Sequence, residues 1–221
     1  MGGDSFGFGL LRRRVAVVPT LRGLILCALV VLVVGICVFR SVQPFLAVNR
    51  PIGGDVLVME GWIPDYAMRE ALIAFRTHPY KMMIATGGPM PQGMVYSTYG
   101  TYAEFGAATL KDFGLGADSI ITVPSPNVGR DRTHQEGVSL RAWLGSHPGS
   151  FASLDVFSFS SHARRTRLLY RMALGPDVKV GVYSSRDLGY DPAGWWKTSN
   201  GVRQVSDEVF AYLYAKLLFR G

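Results

Sequence analysis

The chain reads as an α/β protein, a Rossmann-like three-layer sandwich with a mainly parallel sheet, preceded by one N-terminal transmembrane helix. Three observations predict this. From residue 55 onward, short apolar runs alternate with stretches of helical period, the pattern of repeated β–α units whose strands lie parallel. Ahead of them, residues 23–39 form an unbroken run of apolar residues and glycine between Arg22 and Arg40, at the lower end of the about 17–25 residues that span a bilayer. Finally, the turn residues Thr86-Gly87-Gly88 and Ser160 to Arg165 fall where a strand pattern gives way to a helix pattern, and in open α/β sheets ligands sit at those carboxyl ends.

The elements follow in order. Residues 1–22 are short and basic, a cytoplasmic N-terminus, and residues 23–43 are the transmembrane helix. A cleaved signal peptide is the rival reading. Against it, the apolar core exceeds the usual ~7–15 residues and no small-x-small cleavage site follows promptly. Arg12, Arg13, Arg14 and Arg22 precede the span and Arg40 follows it, so the N-terminus is expected inside and the domain outside. In a Gram-negative bacterium that is the inner membrane and the periplasm. Residues 44–53 form a linker and 54–221 the domain. Its strands are expected at Asp55–Met59, Lys81–Thr86, Ser119–Val123, Leu154–Phe159 and Val178–Tyr183. Asp65 reads as the N-cap of the first domain helix. Thr101 to Glu104 and Thr133 to Glu136 read as capping boxes. The last helix, from about Ser199, carries Val202, Val205, Val209, Leu213 and Leu217 on one stripe.

Composition narrows the function. The formal net charge is +7, but the first 49 residues hold five arginines against one aspartate. The remaining +3 is ordinary for a soluble domain, and no basic stripe with interleaved aromatics suggests nucleic acid. Cys27 and Cys37 both lie in the apolar segment, so the domain has no disulfide and no cysteine metal site. His78, His134 and His147 lack ligand spacing, so no metal is expected. Gly-x-Gly-x-x-Gly and Walker sequences are missing, so no cofactor is expected.

The chemistry-bearing stretch is Phe157 to Leu168. Arg164 and Arg165 fall in the first turn of a helix, where the dipole disfavours cations. A shared anion would explain them, and a solvated basic turn is the alternative. Arg164, Arg167 and Arg171 share one helical face. Arg165 lies with Leu168, Leu169 and Met172 on the other, which makes Arg165 the ligand candidate and Arg164 a rim residue. His162 can orient a phosphate, serve as acid or base, or bond a backbone carbonyl. Ser160 and Ser161 lack the Gly-x-Ser-x-Gly elbow of a hydrolase nucleophile. Gly87 and Gly88 either let a ligand approach the backbone or make a tight turn. Glu104 is a cap or an acid–base group, and Thr133 is a cap first. Trp195-Trp196 can stack on a sugar, line the pocket, lie near the bilayer, or simply pack.

The order of these motifs resembles the YdcF/SanA/ElyC family of bacterial envelope proteins over about residues 54–185. Gly87-Gly88 after the second strand, Glu104 opening the next helix, Thr133 after the third strand and His162-x-x-Arg165 after the fourth carry the likeness. Arg132-Thr-His-Gln-Glu136 departs from that family's Asn-Thr-x-Glu-Asn, and Glu60-Gly61-Trp62 replaces its glycine-rich first strand end. The resemblance implies a role in envelope integrity through a phosphorylated, lipid-linked cell-wall or polysaccharide intermediate. It implies ligand-binding roles for Gly87, Gly88, Thr133, Ser161, His162 and Arg165, with His162 and Glu104 as candidate catalytic groups. A non-catalytic module of an envelope or polysaccharide-export complex, docking through Trp195-Trp196, is the alternative.

Overall fold

The computed structural model describes residues 18–91, 98–149 and 151–221, with the backbone of residues 5–6 and 11–12, which pair antiparallel. Most of the expected cytoplasmic segment lies outside the described residues, as does the loop at 92–97. The chain divides into two compact units, Met1–Arg40 and Ser41–Gly221.

The first unit is dominated by α1 (Leu21–Leu46), which continues into the second and ends three residues beyond the expected end at residue 43. Its apolar window has a mean hydropathy of 2.8 and no buried residue. At about 1.5 Å per residue its 26 residues exceed the ~30 Å hydrocarbon thickness. The helix is therefore long and apolar enough to cross a membrane.

The second unit carries the sheet: β1 (Val56–Glu60), β2 (Met83–Gly87), β3 (Ile120–Pro124), β4 (Ser153–Phe159) and β5 (Lys179–Ser185). All five are parallel, in the order β3-β2-β1-β4-β5. β1 and β2 are buried along their whole length, as expected where helices cover both faces. Alternate residues feed two cores. Leu57, Met59, Met83, Ala85 and Phe157 meet α2 (Asp65–Thr77) and α3 (Tyr102–Asp112) on one face. Val56, Val58, Ile84 and Val156 meet α4 (Arg132–Ser146) and α5 (Ala163–Leu174) on the other.

Local signals hold in part. Thr101 and Glu104 form the expected capping box on α3. Thr133 and Glu136 do not form the second one. Asp131, in the left-handed region at φ 56°, occupies the N-cap position of α4 without a side-chain cap hydrogen bond, which places Thr133 in the first turn and Glu136 in the interior. Asp65 is the first helical residue rather than the cap, which is Pro64. The linker does not hang free. Arg50 exchanges two backbone hydrogen bonds with Val182 of β5, covering an edge strand that would otherwise expose its ladder. The buried carboxylate of Asp155 accepts the Ile52 and Gly54 amides at 2.8 and 2.9 Å.

α6 (Ser199–Leu217) departs from its expected stripe. Val205 is fully buried and Val209 partly so, but Val202, Leu213 and Leu217 are exposed. Trp195 packs with Leu46, Tyr190 and Val205, with Trp196 edge-on beside it. Packing therefore accounts for Trp195, while Trp196 is partly buried.

Candidate functional site

A cleft of about 580 Å³ opens outside the carboxyl ends of the strands. It lies where the strand order turns back between β1 and β4, the switch point at which open parallel sheets bind ligands. Trp62 follows β1 into its wall, and Gly88 and Pro89 follow β2. The β3–α4 junction supplies Arg130, Asp131, Arg132 and Thr133. His162 and Arg165 enter at the start of α5, and Glu208 reaches in from α6.

Two strained residues shape these approaches. Ser160 (φ 44°) and Asp131 (φ 56°) are the non-glycine residues with positive φ among the described residues, a conformation that L side chains avoid. Ser160 begins a single 3₁₀ turn, Ser160–His162, between β4 and α5. Its Oγ lies 3.1 Å from the Tyr190 hydroxyl, and its carbonyl accepts from Ser184 Oγ at 3.0 Å. The turn, pinned on both sides, swings His162 into the cleft rather than onto solvent, leaving it 9% exposed.

His162 and Arg165 share one carboxylate. Arg165 donates Nε to Glu208 Oε2 and Nη2 to Oε1, both at 2.9 Å. His162 Nδ1 lies 2.7 Å from the same Oε1. As two donors converge on that oxygen, Arg165 Nη2 and His162 Nδ1 come within 2.8 Å of each other. The hydrogen-bond network thus assigns the proton to Nδ1 and leaves Nε2 as the acceptor. Burial would raise the pKa of Glu208, but the hydrogen bonds from Arg165 and His162 outweigh it and hold the carboxyl at about 2. Burial likewise works against the charge of Arg165, and the bond to Glu208 more than restores it.

Two carboxyls lie beneath. Glu60, at the end of β1, is fully buried, and its Oε1 accepts from Thr166 at 3.1 Å. The same oxygen faces His162 Nε2 at 3.6 Å, too far for a hydrogen bond. Its Oε2 makes no hydrogen bond among the described residues. Glu136 Oε2 receives the Tyr170 hydroxyl at 3.3 Å and Thr86 Oγ1 at 3.4 Å. Burial raises the pKa of both, and the neighbouring Glu60 raises Glu136 further. Burial thus works against the charged form of each.

Of the residues expected from sequence, His162, Arg165, Thr133 and Gly88 line the cleft. Thr133 Oγ1 sits 3.4 Å from His162 Nε2, and the Trp62 ring stands edge-on to the imidazole at 5.1 Å. Gly87, Ser161 and Glu104 are not in the lining. Gly87 serves close packing, since a Cβ there would lie 2.6 Å from that of Tyr102 on α3. Ser161 is buried. Glu104 accepts the Gly100 and Thr101 amides at 2.9 and 3.0 Å as a cap. Arg164, expected at the rim, lies instead over the Phe45 ring at 3.8 Å.

Sequence reasoning placed Glu60 at a strand end and Glu136 in a cap without a role in the site for either, and missed Glu208. One signal existed for the last. Gln204, Glu208, Ala211 and Ala215 recur at helical spacing beside the valine stripe, and all four line the cleft.

The cations facing open space are Arg130 and Arg132. Arg130 is only loosely paired with Asp131, at 3.8 Å and 90% side-chain exposure. No side chain caps the first turn of α4, so its N–H groups are left for a ligand or water. Cations, free amides and an oriented imidazole together suit an anionic group that gains or loses a proton. No family model matches this chain, and no curated protein matches it either.

Proposed function

We propose that this is a membrane-anchored envelope protein that binds, and processes, a phosphorylated intermediate of the cell wall or of a polysaccharide, carried on a lipid. The observation that carries this reading is the convergence on one cleft of Arg130, Arg132 and the uncapped first turn of α4 opposite an imidazole held by Glu208. Two guanidinium groups and a helix N-terminus suit a phosphate. Arg165 does not serve that role, because Glu208 already matches its charge.

His162 supplies the acid–base group. With Nδ1 bound to Glu208, Nε2 faces Thr133 and the cleft, where it takes a proton from a nucleophile or passes one to a leaving oxygen. Burial raises the pKa of Glu60 and Glu136 beneath the cleft, which works against negative charge near the phosphate.

Two observations support the cellular setting. α1 is long and apolar enough to cross a membrane, and the arginines before it favour a cytoplasmic N-terminus with the domain outside the plasma membrane. The likeness of the motif order to the YdcF/SanA/ElyC family points to the same envelope context.

Calorimetric titration of the full-length protein in detergent with pyrophosphate tests the binding. Loss of one charge-assisted contact of about 1.5–3 kcal/mol in Arg132→Ala weakens affinity roughly tenfold or more. Arg164→Ala, stacked on Phe45, leaves it unchanged. Absence of both heat and thermal stabilisation by pyrophosphate would overturn the proposal.

A further inference from the structure

The outer face of α6 is apolar where a soluble helix is normally polar. Phe210, Leu213, Leu217 and Leu218 recur at helical spacing and are 72%, 45%, 70% and 70% exposed. Single exposed apolar residues are ordinary, but a contiguous stripe that includes an aromatic marks a docking face. Among the described residues, these four side chains stay exposed.

Beside the stripe runs a groove of about 950 Å³ lined by Arg167, Arg171, Lys179 and Lys216, with no carboxylate in its lining. Lys216 belongs to α6 itself, which joins the groove to the stripe. The groove is electrostatically crowded. Burial lowers the pKa of Arg167 first, and the charges of Arg171, Arg50 and Arg164 lower it further. Such a surface gains from an anionic partner, which relieves repulsion among its own cations. A second copy of this chain would bring the same cations together.

The place of α6 along the chain identifies the anion. The apolar run ends at Arg40, yet Phe45 already stands edge-on to Tyr212 at 5.7 Å, and Leu46 packs with Val205. Five residues reach at most about 18 Å even when fully extended. The helix bearing the stripe is therefore tethered near the surface from which α1 emerges. An apolar stripe of leucines with Phe210, flanked by lysine and arginine, is the composition of a helix lying in a lipid interface.

We infer that the outer face of α6 and the basic groove beside it rest on an anionic lipid surface, that of the bilayer which α1 enters. This rests on the reading of α1 as a membrane span. Docked this way, α6 sits at the interface while its opposite face carries Glu208 into the cleft. A phosphate on a lipid carrier would then reach His162 without leaving the membrane surface.

The test uses the full-length chain with Cys27→Ser and Cys37→Ser, and a single environment-sensitive fluorophore attached through Leu217→Cys. Asp118→Cys, exposed beside β3 at the opposite edge of the sheet, is the control. Each is reconstituted into vesicles of phosphatidylcholine alone or mixed with phosphatidylglycerol. In the anionic vesicles, emission from the Leu217 site shifts to the blue and is quenched by doxyl-labelled lipid, while the Asp118 site stays wet. At about 1 kcal/mol per cation near such a surface, Arg171→Glu and Lys216→Glu each lower the docked fraction about fivefold or more, and salt does the same. A Leu217 site as wet as Asp118, in protein that survives a carbonate wash, overturns the inference and leaves the anchor intact. Cross-linking of two copies through Leu217 without lipid quenching overturns it in favour of a dimer face. Release by carbonate overturns the anchor and the inference together, while pyrophosphate titration of the same protein reports on the cleft separately.

Discussion

Arg165 and Glu208 meet fork to fork, through two hydrogen bonds of 2.9 Å each, Nε to Oε2 and Nη2 to Oε1. This geometry is specific to a guanidinium and a carboxylate. It ties α5 to α6 and gives His162, one turn earlier, a fixed acceptor for Nδ1. Arg165, which also lines the cleft, thus fixes the carboxylate that orients the imidazole.

The pair should behave as a unit. Arg165→Ala and Glu208→Ala each strand a partly buried charge and are expected to destabilise the protein by about 3 kcal/mol. The double variant is expected to lose less than the sum, with a coupling of about 0.5–3 kcal/mol. Thermal melts of all four proteins measure it, and additive losses would show that the two side chains do not support each other. Arg165→Lys should recover only part of the coupling, because an ammonium lacks the fork.

Stability should depend on pH with opposite signs on two limbs. The pKa of Glu208 is depressed in the folded protein, to about 2 from an ordinary 4.5. Its contribution is therefore present above 4.5 and lost as pH falls toward 2. Glu136 is raised above 4.5. Its contribution is full below 4.5 and fades as pH rises through the folded value, by up to about 1.4 kcal/mol per pH unit. Glu136→Gln should flatten the upper limb, and Glu208→Gln the lower one. Melting temperatures across pH decide this, and an unchanged upper limb in Glu136→Gln would place the titrating group elsewhere.

Helix α3 lies so close to β1 that glycine is required between them. A Cβ on Gly106 would lie 2.8 Å from Gly61 Cα and 2.9 Å from the Met59 methyl. Gly106→Ala should cost about 1–3 kcal/mol by overpacking, despite the better helix propensity of alanine. A melt showing stabilisation would mean that α3 shifts freely on the sheet.

Orientation is open to a direct assay. A reporter fused after Gly221 that is active only outside the cytoplasm should be active, since the arginines cluster before the span. Activity from a cytoplasm-only reporter at that end would overturn the envelope reading.

The sequence by itself determined the parallel α/β architecture and the apolar first helix, and it located the turn that carries His162. Strand and helix periods are local, and so are the Thr101–Glu104 cap and the helical face that separates Arg165 from Arg164. Tertiary structure alone decided what meets what. Thr166 reaches Glu60 across 106 residues of chain, Tyr80 reaches Asp155 across 75, and Arg165 reaches Glu208 across 43. No spacing rule encodes those pairings, because they follow from the strand order and from where α6 returns. The same cause explains Thr133 and Glu136. Their spacing suits a capping box, but burying Glu136 beside Tyr170 and Thr86 shifts the start of α4 back to Arg132. A local capping gain of about 1 kcal/mol is smaller than the packing and hydrogen bonds that fix the helix on the sheet.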